Sequence, residues 1–348
     1  MSAFQGAVVA ELESPTGQVA LDSAFYVAHL RIESDCYKEI VKAGALIRVK
    51  APRQMGKTSL MARILHCGTE QGYQAVAIDF RQADGNVFAH LDPFLRWFCA
   101  NVGRRLKLPN KLADYWDEIF GSKDNCTVYF EECLLPQIKH PLVLGLDELD
   151  WIFSHPPIAN DFLPLLRFWH ERGKNEAIWK KLRLVIVHQD VYTLNANQSP
   201  FNVGFPIELP QLNQSQIQDL VGRHGLKWTS KQVEKLMAMV GGHPYLVRMA
   251  LYRIARGEMT LEQLLQIAPT EEGLYSDHLR RHLLNLEENQ ELLTAMKRVV
   301  AQNSPVRIDT REASKLLPMG LVKMKGNDVL PLCELYRQYF CDRLRINQ

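Results

Sequence analysis

Leu46-Ile-Arg-Val-Lys runs without a break into Ala51-Pro-Arg-Gln-Met-Gly-Lys-Thr-Ser, and from Thr58 to Glu70 the apolar residues fall at helical spacing. A short β-branched run, a tight turn and a helix in direct succession leave few architectures open, because a strand that feeds a helix is the repeating unit of parallel α/β folds. The turn also has a chemistry. Its backbone N–H groups point into one concavity, the helix N-terminus behind them adds partial positive charge, and Gly56 lets the main chain approach an anion closely. A phosphate chain suits such a cup: Lys57 would neutralise the β- and γ-phosphates and the Thr58 hydroxyl would ligate Mg²⁺. The expected ligands are therefore ATP (or ADP) and Mg²⁺, held by Ala51, Pro52, Arg53, Gln54, Met55, Gly56, Lys57, Thr58 and Ser59. The first position, commonly glycine, is Ala51 here.

The rest of the first two-thirds keeps the alternation. Ala75–Asp79, Leu142–Leu146, Leu182–Val187 and Pro206–Leu209 read as buried parallel strands. Helices are expected over Ile32–Ala43, Phe88–Leu106 and Asn160–Arg172. The third strand ends in Asp147 and Glu148, at the carboxyl edge where ligands of open α/β sheets sit. Asp147 would hold the magnesium shell and Glu148 would act as general base on a water. No role is assigned to Asp150. The fourth strand ends in His188-Gln189-Asp190, and either His188 or Gln189 would sense the γ-phosphate; spacing does not choose between them.

After Pro210 the alternation stops and the chain turns helical, over Gln214–His224, Ser230–Met239, Pro244–Arg256 and Leu261–Gln266. Gly241-Gly242-His243-Pro244 ends one helix and starts another. The closing part predicts helices over Glu291–Ala301 and Arg311–Leu317, then a Gly-Asn-Asp turn between two short extended runs, the outline of a winged helix. The domains expected are an N-terminal arm (1–22), a P-loop core (23–210), a helical lid (211–288) and a winged-helix-like domain (289–345).

Composition bounds what this can do. The 348 residues, 47% hydrophobic and 23% charged, include no run of roughly 18 apolar residues, so no membrane span is predicted. The first fifteen residues lack a secretory signal, and seven cysteines without a CxxC pair read as reduced thiols, so the expected compartment is cytoplasmic. A net charge of +2 gives no global field for nucleic acid, although residues 289–348 hold ten Lys/Arg against six Asp/Glu.

With these motifs in order, the chain resembles the AAA-like ATPases allied to the STAND and origin-recognition group of P-loop proteins. The segments that carry the resemblance are FYVAHLRIES (25–34), IRVKAPRQMGKTSL (47–60), LVLGLDELDWIF (142–153), LRFWHERGKNEAIWKKLRLVIVHQD (166–190), SPFNVGFPIEL (199–209), GGHPYLVRMALY (241–252) and LCELYRQYF (332–340). The resemblance implies an ASCE-type core, a helical lid and a C-terminal winged helix, with nucleotide at the junction of core and lid. It implies that the segment holding Phe25 and Tyr26 wraps the adenine and that His243 and Pro244 close on the phosphates. An arginine finger acting in trans would fall to Arg167 or Arg172. The function implied is a nucleotide-dependent ATPase switch that engages a partner protein or a second copy, with DNA through the winged helix as a further partner; the alternatives are a DNA-binding regulator and a nucleotide-holding scaffold that hydrolyses little. Small-molecule phosphoryl transfer is disfavoured, because Glu148 directly after Asp147 suits water activation.

Overall fold

Strands that are apolar on both faces need cover on both faces, and Leu142–Asp147 and Leu182–His188 are buried at every position. The computed structural model of the chain describes residues 11–189 and 198–346; Asp190 and the first ten residues of the arm lie outside the described residues. The contacts divide the chain into two compact units. One comprises Ala28–Ala51 and Lys57–Leu209; the other takes the residues up to Val27, the short stretch Pro52–Gly56, and the chain from Pro210 on.

The first unit runs α1 (Leu30–Ile40), β1 (Leu46–Lys50), α2 (Lys57–Glu70), β2 (Gln74–Asp79), α3 (Leu91–Arg105), α4 (Ser122–Val128), α5 (Leu135–Gln137), β3 (Leu142–Asp147), α6 (Pro156–Arg172), β4 (Leu182–His188) and β5 (Phe205–Glu208). The sheet is wholly parallel, in the order β2-β3-β4-β1-β5. β4 thus lies between β1 and β3, and the register sets Lys50 beside His188 and Asp79 beside Asp147. All five expected strands are present within one residue of their expected ends. α4 was not expected: it passes through a wider, π-type turn over Tyr129–Leu134 into α5, burying Tyr129, Phe130, Cys133 and Leu134 together. Its buried positions pair at i, i+4 (Tyr129 with Cys133, Phe130 with Leu134), which is helical spacing, so the segment did carry a signal that was not read. One face of the sheet is closed by an aromatic cluster in which the Phe94 and Phe98 rings meet Phe162 edge-on at 5.0 and 5.1 Å. Such contacts are worth about 0.5–1.5 kcal/mol each beyond the area they bury.

The second unit is built from α7 (Gln214–Arg223), α8 (Ser230–Val240), α9 (Pro244–Ala255), α10 (Leu261–Ile267), α11 (Ser276–Glu287), α12 (Gln290–Val300), α13 (Thr310–Leu316), the hairpin β6 (Val322–Lys325) and β7 (Asp328–Pro331), and α14 (Glu334–Arg343). Four of these helices start where a short polar side chain stands three residues before Gln or Glu: Asn213 with Gln216, Thr229 with Gln232, Thr260 with Gln263, and Asp309 with Glu312. Each pair satisfies two backbone N–H groups that a helix start leaves without partners. One continuous apolar core, from Leu220 and Leu246 through Leu279 to Val299 and Phe340, runs beneath the expected lid and winged-helix segments alike. Val306 bridges to Val329 at the side of the hairpin. Between that bridge and the hairpin stands a single helix, α13, where a helix-turn-helix reader of DNA carries two.

Candidate functional site

The phosphate loop leaves β1 at Ala51, whose N–H reaches the carbonyl of His188 at 3.4 Å. Two of its residues are left-handed, Gln54 (φ 61°) and Gly56 (φ 94°). Only glycine takes that region without cost, so Gln54 needs outside support. A Cβ added at Gly56 would meet no atom within 4 Å, which leaves an open cradle in front of the main chain. Lys57, the first residue of α2, folds back across the turn and donates from Nζ to the Ala51 carbonyl at 2.8 Å. Its ammonium therefore spans the mouth of the cup, with the N–H groups of the first turn of α2 behind it.

Asp147 ends β3 and is 4% exposed. Burial pushes its carboxyl above the ordinary range, and the neighbouring Thr58 side chain opposes that shift. Thr58 and Asp147, 89 positions apart, are the pair expected to hold magnesium. Glu148 sits in left-handed backbone (φ 53°, ψ 43°) and its N–H donates to Asp147 Oδ1 at 3.0 Å.

Arg81 completes this corner and was not foreseen from the sequence. Its Nε and Nη2 donate to the two oxygens of Asp79 at 3.0 and 2.7 Å, and its Nη1 lies 3.3 Å from Glu148 Oε1. The Asp79 bonds, with help from Glu148, hold the guanidinium firmly charged. The signal was available in outline, since an acid at the end of β2 faces the acid at the end of β3 and an arginine follows two residues later. Asp150 also acquires a role: its Oδ2 accepts from the Gln189 N–H at 2.7 Å and braces the end of β4. His188 is buried with its ring 4.7 Å from that of Phe201, while Gln189 is half-buried.

The two arginines considered as fingers are both engaged inside their own unit. Arg167 donates to Glu171 and to the Ser199 carbonyl, and Arg172 forks onto Glu131 at 2.7 Å and lies over the Trp179 ring.

In the helical unit, Phe25 is 1% exposed and belongs to the core, its ring 4.4 Å from His224. Tyr26 is half-buried and its carbonyl accepts from Arg223 at 2.7 Å. Pro244 opens α9 directly after the buried His243, whose ring stands 5.7 Å from that of His278 on α11. The same His278 reaches Gln54 of the phosphate loop at 3.0 Å. Among the described residues no group of three or more His, Cys, Asp or Glu forms a ready metal cage, and no helix is long and apolar enough to cross a membrane. A Thr–Asp pair fits magnesium of the phosphate-borne kind, which takes one or two protein oxygens and keeps the rest of its shell as water and phosphate.

Comparison with known proteins bears on the fold and the family. A Walker-type ATPase of Pyrococcus abyssi superposes with a TM-score of 0.64 over 90% of this chain and 96% of that one, at 10% identity. The ORC2 protein of Aeropyrum pernix, in its ADPNP–ADP complexes, aligns over 90% of this chain and 92% of its own at 16% identity and a TM-score of 0.48. An uncharacterised WD repeat-containing protein of Synechocystis sp. is 25% identical over 260 residues, 70% of this chain. The chain spans about a fifth (21%) of the length of that curated relative. The AAA-like domain family matches residues 14–342, nearly the whole length. With that match laid over a β2-β3-β4-β1-β5 sheet and a phosphate loop at the end of β1, the chain belongs to the AAA-like domain family and has the fold of the P-loop nucleoside triphosphatases.

Proposed function

We propose that this protein binds ATP with magnesium and hydrolyses it, using the cycle as a switch. The observation that carries the reading is the Lys57 ammonium, bonded to the Ala51 carbonyl beside an open Gly56 cradle, with Asp147 buried at the end of β3. The Thr58 hydroxyl and the Asp147 carboxylate would supply oxygen ligands to magnesium, and the ammonium and backbone N–H groups of the loop supply the positive wall a triphosphate needs. When bound there, magnesium supplies charge against the β- and γ-phosphate oxygens. Glu148 is the group that takes a proton from the attacking water, and Arg81 competes with that water for a carboxylate oxygen. His188 and Gln189, at the end of β4, remain the two candidates for sensing the γ-phosphate.

The output falls to a partner protein or a second copy ahead of duplex DNA. Four of the ten cations in residues 289–348 are engaged in ion pairs, Arg298 with Glu312, Arg307 with Asp328, Arg337 with Glu334 and Arg343 with Glu271. One helix stands where a groove-reading pair would be. The hairpin, with Met324 exposed between Lys323 and Lys325, is the part of the winged-helix-like segment that offers itself outward.

The test is calorimetry with ATP and Mg²⁺. Wild-type protein should bind, and Lys57→Ala should weaken binding by about a hundredfold or more, the loss of a charge-assisted contact to two phosphates. Equal affinity in the two proteins would remove the phosphate-loop reading.

A further inference from the structure

The phosphate loop is held from outside the sheet that it grows from, and the holding residues form a chain. His278, 7% exposed on α11, has Nδ1 3.0 Å from Gln54 Oε1 and Nε2 2.8 Å from the hydroxyl of Tyr336 on α14. An amide oxygen only accepts, so Nδ1 carries the proton. Burial, followed by the neighbouring His282, His243 and Arg281, pushes this ring down to about 2 and keeps it neutral. Its Nε2 is therefore a bare acceptor, and Tyr336 donates to it. The hydrogen bonds run one way, from the Tyr336 hydroxyl through the imidazole to the side chain of Gln54.

Three facts make this more than a packing detail. Gln54 is the non-glycine residue in left-handed backbone inside the loop, so its side chain is the handle by which that conformation is fixed. A second contact presses on the same stretch: a Cβ added at Gly320, in the turn before β6, would come within 2.8 Å of the Pro52 Cβ. And His278 is a hub, its ring 4.7 Å from His282, 5.7 Å from His243 of the Gly-Gly-His-Pro turn, and stacked on Tyr336.

We propose that His278 is a positioning residue of the phosphate loop: through Gln54 it holds the loop in its receptive shape, and through Tyr336 it passes the state of the loop to α14. The second half rests on the nucleotide reading above, whereas the first concerns the loop alone. A neutral imidazole suits the task, since it offers one donor and one acceptor on opposite sides and adds no charge near the phosphates.

The experiment uses the full chain with ¹⁵N-labelled histidine. The His278 signal should show the Nδ1-protonated neutral tautomer, and Gln54→Ala should shift it. Amide exchange at residues 53–56, without nucleotide, should speed up about threefold to tenfold in His278→Ala, the worth of one hydrogen bond, and return near wild type in His278→Asn, whose amide keeps a donor in the Nδ1 position. ATP affinity should follow the same order, and Tyr336→Phe should alter the exchange of α14 on ATP binding. An Nε2-protonated signal, exchange in Gln54→Ala equal to wild type, or His278→Asn as impaired as His278→Ala would overturn the assignment. If the wild type takes up no nucleotide, the functional reading fails, and the tautomer and exchange data still decide the role of His278.

Discussion

At the carboxyl end of the sheet, polar groups are settled by formal charge: Arg81 forks onto Asp79 and touches Glu148, in a corner open to water on one side. In the buried interior of the helical unit neutral rings take that place: His224, His278 and His282 are all held uncharged, their pKa values pushed down to about 4, 2 and 4 with burial the leading cause. The difference follows from solvent. A half-exposed ion pair keeps part of its hydration and is cheap to make and break, whereas a buried imidazolium would have to be matched by a buried carboxylate. The sheet corner is thus suited to chemistry that exchanges protons with water, and the helical cluster to holding a shape.

The largest expected effect tests the first half of that contrast. Glu148→Gln should lower phosphate release by about 10²–10⁴ while ATP binding persists, as expected for loss of a general base; a fully active variant would move the base elsewhere. Acid tests the second half. Unfolded histidines titrate near 6.5, so above that pH neither state is protonated and the full stability is present. As the pH falls below 6.5, the unfolded chain takes up protons that His224, His278 and His282 refuse in the fold, and stability is lost progressively down to about pH 4. His29 and His170 of the sheet unit are lowered too, by burial, so the sheet unit loses some stability as well. Asp147 works in the opposite direction: its raised carboxyl means that acid relieves a cost. Hydrogen exchange at pH 5 should therefore open α7 and α11 ahead of β3 and β4, and simultaneous opening would break the comparison. The smallest effect is that of Arg81→Ala. Side chains that are 51% and 29% exposed contribute less than about 1 kcal/mol, so melting should hardly move, while turnover rises a few-fold as Glu148 is released. A fall in turnover would recast Arg81 as a catalytic group.

What could be read from the residues divides along physical lines. β3 and β4 were legible because burial on both faces demands an unbroken apolar run, and α7, α8 and α10 because their starts carry a capping pair. α11 and α14 were not, since each mixes polar side chains into its buried face: His278 on one, Tyr336 and Tyr339 on the other. In the site, Lys57, Thr58 and Asp147 follow from a linear motif and a strand end. Arg81 depends on which strands are neighbours, and the Gln54–His278–Tyr336 chain joins residues 224 and 58 positions apart, a relation that no local pattern encodes. Phe25, which the resemblance implies lies along the adenine, is packed into the core of the helical unit.

The stretch Pro52–Gly56 belongs by its contacts to the helical unit although the chain on either side belongs to the sheet. A fragment cut at Pro210, where composition changes, would lack five residues that complete it, and the upstream fragment would keep those five with nothing to brace them. Gene fusion and shuffling must therefore carry both halves as one cassette, and a swap of the helical part between relatives would succeed only if these five residues travel with it.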